Sequence, residues 1–236
     1  AIYNVIESDL NFAENNILTN TERNSSRYYV SKPLIYAIKA RYYLYTKKYN
    51  LAKEYAAKVV SESGLTLTSA KPIPASTASG PESTYGNSWH RAISAYNTTN
   101  PYVRMFQDTD RGEVVFSLSR PSVGAWENVA GLFSSNTTNA VGSVYDMGRN
   151  LFNILDSYSN DIRKYAYVDP SSKINSNYLT SSNYRKDDVL AIDKYPGKTG
   201  VPLRNDIKVF RLSEMYLILA ECAVAENNLN AAAGYV

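Results

Sequence analysis

Two stretches far apart in this chain share one plan, and that internal repeat constrains the fold more than any other feature. Tyr36, Ala40, Tyr49, Asn50, Ala52 and Ala56 recur as Tyr216, Ala220, Leu229, Asn230, Ala232 and Val236 at one constant offset, and Tyr43 stands where the second copy has Ala223. Each copy reads as a helix, a short polar turn and a second helix. Small residues at Ala40 and Ala52 let two antiparallel helices approach closely, while the tyrosines fill the outer gaps. Such a pair cannot bury both its faces alone and must stack on neighbours. The competing reading is two unrelated Ala/Tyr-rich hairpins. The second copy stops at Val236, inside its second helix, so the expectation is a chain cut short.

These are the positions of a tetratricopeptide repeat: a large residue, a small one four later, an aromatic three after that, then a turn and an alanine. Ser31 is a candidate N-cap, with Pro33 in the first turn, where a missing N–H costs little. From Leu34 to Tyr45 only Lys39 and Arg41 are charged, so that helix must be covered on several sides. Lys47-Lys48-Tyr49-Asn50 is a polar break. A further helix runs from Leu51 to about Ser61 with Ala52, Tyr55, Ala56 and Val59 on one face, and Gly64 supplies its stop. Upstream, Ile2, Ile6, Leu10, Ala13 and Ile17 recur every three or four residues, which predicts an amphipathic helix with one buried apolar stripe.

Residues 65–205 have a different character. Lys71 to Ser88 is rich in Pro, Ser, Thr and Gly, and Ser122 to Val144 in Gly, Asn, Ser and Thr. Glu113 to Ser119 is the clearest strand candidate. Leu151 to Asp156 suits a short helix, and Lys164 to Val168 reads as a strand. Long connections with little regular structure are usually functional. The organisation is therefore a helical-repeat part over 1–64, a loop-rich insertion over 65–205 and the start of a further helical repeat over 206–236, all within one domain.

Composition removes several classes of function. The net charge is +3, with 20% charged residues of both signs spread along the chain, so there is no basic stripe for nucleic acid. One cysteine, Cys222, excludes an internal disulfide framework, and one histidine, His90, excludes any site that needs two imidazoles. No run approaches the roughly 18 apolar residues of a membrane span. The chain opens directly into a helix rather than a signal peptide.

Arg211 and Glu214 share a helix face at a three-residue spacing, with Glu221 two turns further. A helix-supporting ion pair is the expectation, against a catalytic carboxylate with an arginine clamp. Asp108-Thr109-Asp110-Arg111-Gly112-Glu113 is faintly like a calcium loop. Leu118 and Ser119 hold its closing ligand positions, so a turn into the following strand is expected, with no metal and no cofactor. No Gly-x-Ser-x-Gly elbow presents a serine to His90. No catalytic residue is assigned.

The loop aromatics carry more chemistry. Tyr85-Gly86-Asn87-Ser88-Trp89-His90 and Trp126-Glu127-Asn128 set both tryptophans in polar surroundings, and the chain holds 21 tyrosines. Flat rings cover the C–H face of a sugar while neighbouring amides take its hydroxyls. Trp89, Trp126, Tyr85, Asn87, Asn128 and Tyr96 are the candidate ligand-binding residues, with Tyr145-Asp146 a lesser pair. The alternative is that each tryptophan pins its loop to the helical frame.

Five segments, in order, resemble the SusD/RagB family of outer-membrane lipoproteins from Bacteroidota. They are the opening Tyr3 to Ala13, the Ala-rich helix Ser31 to Tyr45, the strand Glu113 to Ser117, the turn Asp161-Ile162-Arg163 and the segment Asn205 to Glu221, read as a helix. The resemblance implies a mainly α, tetratricopeptide-like α/α superhelix with a loop-rich insertion carrying short strands. It implies a lipid-anchored protein at the cell surface that binds an oligosaccharide, polysaccharide or similar nutrient and catalyses nothing. It further implies delivery to a SusC-like TonB-dependent transporter in the outer membrane. Members are about twice this long, so the chain is expected to be a fragment, without the signal and the lipidated cysteine. The runner-up function is a tetratricopeptide-type scaffold that binds another protein.

Overall fold

Ser31 starts the first helix of the repeat: its hydroxyl accepts a hydrogen bond from Leu34 N at 3.4 Å, and Pro33 sits in the first turn. In the computed structural model that helix, α3, spans Lys32–Tyr45. The structure describes residues 2–69, 100–120, 145–158, 161, 163–168, 172, 180, 188, 190–192, 194–195, 197–198, 201–202 and 204–236. Two compact units divide the chain: unit 1 holds Ala1–Leu67, Arg111–Ser119 and Asp206–Val236, and unit 2 holds Thr68–Asp110 and Arg120–Asn205.

Unit 1 is helical. Ahead of α3 lie α1 (Ile2–Asn16) and the short α2 (Thr21–Ser25). After it, α4 (Tyr49–Glu62) buries Ala52, Ala56 and Val59, and Gly64 ends it in the left-handed region at φ +67°. The second hairpin is α8 (Leu212–Ala225) and α9 (Leu229–Gly234). The two hairpins start and turn at equivalent residues. Lys47 and Asn227 both take a left-handed conformation, at φ 58° and 57°. In the first turn Lys48 N donates to Tyr43 O and Lys47 N to Leu44 O; in the second, Asn228 N donates to Ala223 O and Asn227 N to Val224 O. Both are Schellman ends, in which the turn satisfies two carbonyls that the finished helix leaves over. Ala40, Ala52, Ala220 and Ala232 are all buried, and Tyr36 and Tyr216 belong to one core with Val59, Leu212 and Met215. The hairpins are copies of one building block.

Three expectations for this unit need correction. The apolar stripe of α1 is only partly covered: Ile2 is 70% and Ile6 38% exposed, while Leu10, Ala13 and Ile17 are half-buried. Polar residues beside it supply its side-chain hydrogen bonds. Glu7 accepts from Tyr43 Oη at 3.0 Å and from Lys48 Nζ at 2.8 Å, Asn11 accepts from Lys39 Nζ at 2.7 Å, and Glu14 accepts from Tyr55 Oη at 3.0 Å. Second, the segment leading into α8 is not helical. Ile207–Arg211 forms strand β4, which pairs antiparallel with β1 (Val114–Leu118) through a ladder with two irregularities. Third, Arg211 and Glu214 do not pair. Arg211 is extended at φ −124°, so a three-residue spacing across the strand end is not one turn of helix. Arg211 Nη1 donates to Glu113 at 3.2 Å, while Arg41 grips both oxygens of Glu214 at 2.6 and 2.7 Å and lies 3.7 Å from the centre of the Phe210 ring.

In unit 2 the described helices are α5 (Pro101–Phe106), α6 (Arg149–Asp156) and α7 (Arg163–Tyr167), with a two-residue hairpin of β2 (Gly197–Lys198) and β3 (Val201–Pro202). The segment expected as a strand at Lys164 to Val168 is α7, apart from Val168, which bridges to Ile192. Asp161 explains the helix start: its carboxylate accepts from Arg163 N at 2.9 Å and from the Arg163 guanidinium. A small core of Met147, Phe152, Leu155, Val168 and Leu190 holds this part together.

Candidate functional site

Among the described residues of unit 2, those around α5 form a group of side chains suited to holding a ligand. Asn100 caps the helix, its Oδ1 accepting from Tyr102 N at 3.0 Å and Val103 N at 3.3 Å, and Pro101 follows where its ring fits. One helical turn then sets Tyr102 and Phe106 on the same face, their ring centres 5.2 Å apart. Tyr167 of α7 closes on both, 6.3 Å from Tyr102 and 5.8 Å from Phe106, and its hydroxyl meets that of Tyr102. Tyr195 stands edge-on to Phe106 at 5.7 Å. The Lys194 ammonium lies 4.8 Å from the Tyr167 ring centre and 5.4 Å from that of Phe106.

Phe106 is buried, while Tyr102, Tyr167, Lys194 and Tyr195 are half-buried. Asn205 ties the end of α5 to β2. Fully buried, it donates through Nδ2 to Phe106 O at 2.9 Å and Asp108 Oδ2 at 2.8 Å, and accepts from Gly197 N at 2.7 Å. Aromatic rings, hydroxyls and an ammonium brought together are the chemical types that the C–H face and hydroxyls of a pyranose ring call for.

None of the residues chosen from sequence is in this group. Trp89, Trp126, Tyr85, Asn87, Asn128 and Tyr96 lie outside the described residues. Tyr145 is 57% exposed just ahead of α6. Tyr102, Tyr167, Lys194 and Tyr195 were not singled out. The available signal was Asn100-Pro101 as a helix start with aromatics one turn apart, but the partners on α7 come from a segment read as a strand.

The carboxylates of the calcium-like segment do not converge. Asp110 takes Arg104 at 2.5 and 3.0 Å, Asp108 takes Asn205, and Glu113, 3% exposed, takes Arg211 and Ser213. Among the described residues no group of three or more His, Cys, Asp or Glu could hold a metal ion, and no helix is long and apolar enough to cross a membrane. Cys222 is buried, and that burial pushes its thiol pKa up.

Stacked helical hairpins with a loop-rich unit define a SusD-like fold, and solved structures carry the same one. A SusD superfamily protein from Bacteroides fragilis superposes with a TM-score of 0.67 at 19% identity, over 98% of this chain and 49% of that one. A SusD superfamily protein from Bacteroides thetaiotaomicron gives 0.65 at 18% identity, over 99% and 45%. Surface glycan-binding protein A from Bacteroides uniformis gives 0.62 at 12% identity, over 99% and 48%. The chain thus spans about half the length of the solved structures it matches. No family sequence model and no curated protein matches it.

Proposed function

We propose that this chain belongs to a non-catalytic cell-surface protein that captures an oligosaccharide or similar nutrient for delivery to a SusC-like TonB-dependent transporter in the outer membrane. The observation that carries the reading is the half-buried group of Tyr102, Tyr167, Lys194 and Tyr195 around Phe106 in the loop-rich unit of a SusD-like fold. The name of the Bacteroides uniformis protein, which shares this fold, supports it. A lipid anchor in the full-length protein would hold it at the outer surface. In this reading Trp89 with Asn87 and Tyr85, Trp126 with Asn128, and Tyr96 are further ligand-binding residues.

Binding rather than turnover is the test. Purified chain is run through affinity gels containing a panel of polysaccharides, and products are sought by chromatography. Retention by at least one glycan, without cleavage, is the expected result. Tyr167→Ala, Trp89→Ala and Trp126→Ala should each weaken retention by about two- to tenfold, the worth of one stacked ring, with circular dichroism unchanged. Retention indifferent to all three changes, or cleavage of any retained glycan, would sink the reading.

A further inference from the structure

A separate cleft of about 570 Å³ opens in unit 1, lined by Thr19, Asn20, Asn24, Ser25, Ser63, Gly64 and Arg111. That is room for one or two sugar rings. Among the described residues its charged lining residue is Arg111, half-buried just ahead of β1. The guanidinium donates to backbone carbonyls, from Nε to Val114 O at 3.1 Å and from Nη1 to Asn24 O at 3.1 Å and Ser25 O at 2.6 Å. Neutral acceptors leave its positive charge uncompensated. Burial, and after it the neighbouring Arg27 charge, lower its pKa from the ordinary range, and Arg27 is itself held by the buried Asp206 at 3.6 Å.

The lining contains a second unmet demand. Asn24 Oδ1 is buried and has no donor among the described residues. A buried acceptor left unpaired costs free energy until something donates to it. A fully ionised anion such as acetate would meet the charge and still bring no hydrogen to Asn24. A neutral sugar would supply the hydrogen and leave the charge.

We propose that this cleft binds a carboxylate-bearing sugar, its carboxylate on Arg111 and its hydroxyls on Asn24 and the polar groups of Thr19, Ser25 and Ser63. Gly64 forms an open wall, since a Cβ built there would meet nothing within 4 Å. None of these residues belongs to the aromatic cluster of unit 2, so failure of either proposal leaves the other standing.

Calorimetry on the whole chain at low ionic strength, with sodium glucuronate, glucose and acetate as separate probes, tests it. In the Tyr167→Ala background, which disables the aromatic group, glucuronate should bind one site, with glucose and acetate each about tenfold weaker or more, the worth of a charge-assisted hydrogen bond. Thr19→Glu sets a carboxylate on the exposed rim and should weaken glucuronate at least about tenfold. Arg111→Gln should do the same; should it fail to fold, because Arg111 also ties residues 24 and 25 to β1, Thr19→Glu decides alone. Glucuronate no tighter than glucose, acetate equal to glucuronate, or no effect of Thr19→Glu would each overturn the proposal.

Discussion

Lys39 is 1% exposed, and a buried ammonium persists only where acceptors replace its water. Here they are Glu14, Asn11 at 2.7 Å and the Tyr55 hydroxyl at 3.0 Å, with the Tyr55 ring centre 4.5 Å away. Burial presses the Lys39 pKa down, but the bonds to Glu14 and Tyr55 outweigh it and the net shift is upward. For Glu14 burial pushes up, and the bonds from Lys39 and Tyr55 bring the pKa below its ordinary 4.5. Breaking such a pair from the acid side strands the lysine charge. Glu14→Ala should therefore cost about 3 kcal/mol in urea unfolding, and Lys39→Met less, because Glu14 keeps contact with water. The pH dependence follows from the same shift. A carboxylate with a depressed folded-state pKa contributes its full stability above the unfolded value, and that stability is lost as pH falls through the folded one. The urea midpoint should drop on acidification below about pH 4.5, and Glu14→Gln should flatten that acid limb; an unchanged limb would refute the assignment. None of this was legible in the sequence. Lys39 is one of two charges on an apolar helix, but its partners come from α1, where periodicity marks only the apolar stripe and not which polar residues reach α3.

Elements were legible where local chemistry decides them. Ser31 and Pro33 start α3, Gly64 stops α4, and the matching small residues at Ala40 and Ala220 announced matching hairpins. The turns between the paired helices carry a cost that spacing alone did not reveal. Lys47 sits at φ 58° and Asn227 at φ 57°, and a left-handed backbone strains a lysine more than an asparagine. Lys47→Gly should raise stability by about 0.5–1 kcal/mol, the relief of strain exceeding the extra freedom of the unfolded chain. Asn227→Gly should gain less, and Lys47→Val should lose about 1–2 kcal/mol. Thermal midpoints of the three variants check the order, and equal effects at 47 and 227 would contradict it. Elements whose form depends on distant partners were misread. Ile207–Arg211 continues smoothly into an apolar helix, yet β1, far back in the sequence, draws it into a ladder. Tyr167 faces Tyr102 and Phe106 because α7 is helical, a fact that its aromatic, strand-like composition concealed.

At the scale of the whole molecule, strand β1 shows that sequence order and packing order differ. It lies within the stretch read as an insertion, yet residues 111–119 belong to the helical unit. Val115 of β1 and Phe210 of β4 join Tyr36, Ala56, Leu212 and Met215 in one core. Leu212 N donates to Glu113 O at 2.9 Å, and Ser117 N to Arg27 O at 2.8 Å, so backbone bonds tie the strand to both flanking helical segments. If that core is one cooperative body, a defect at its centre must weaken the strand together with the helices. Met215 is 0% exposed, and Met215→Ala should cost about 2–5 kcal/mol through lost contacts and the cavity left behind. Native-state hydrogen exchange should then show faster exchange by a similar factor at the amides of α3, α4 and α8 and at Ser117 of β1, whose N–H is held by Arg27 O. A strand amide that kept its protection while the helices lost theirs would mean that β1 and β4 fold with something other than the repeat. The joint loss, by contrast, would make the β1–β4 pair part of the helical scaffold, with the loop-rich segments on either side of β1 as two insertions rather than one.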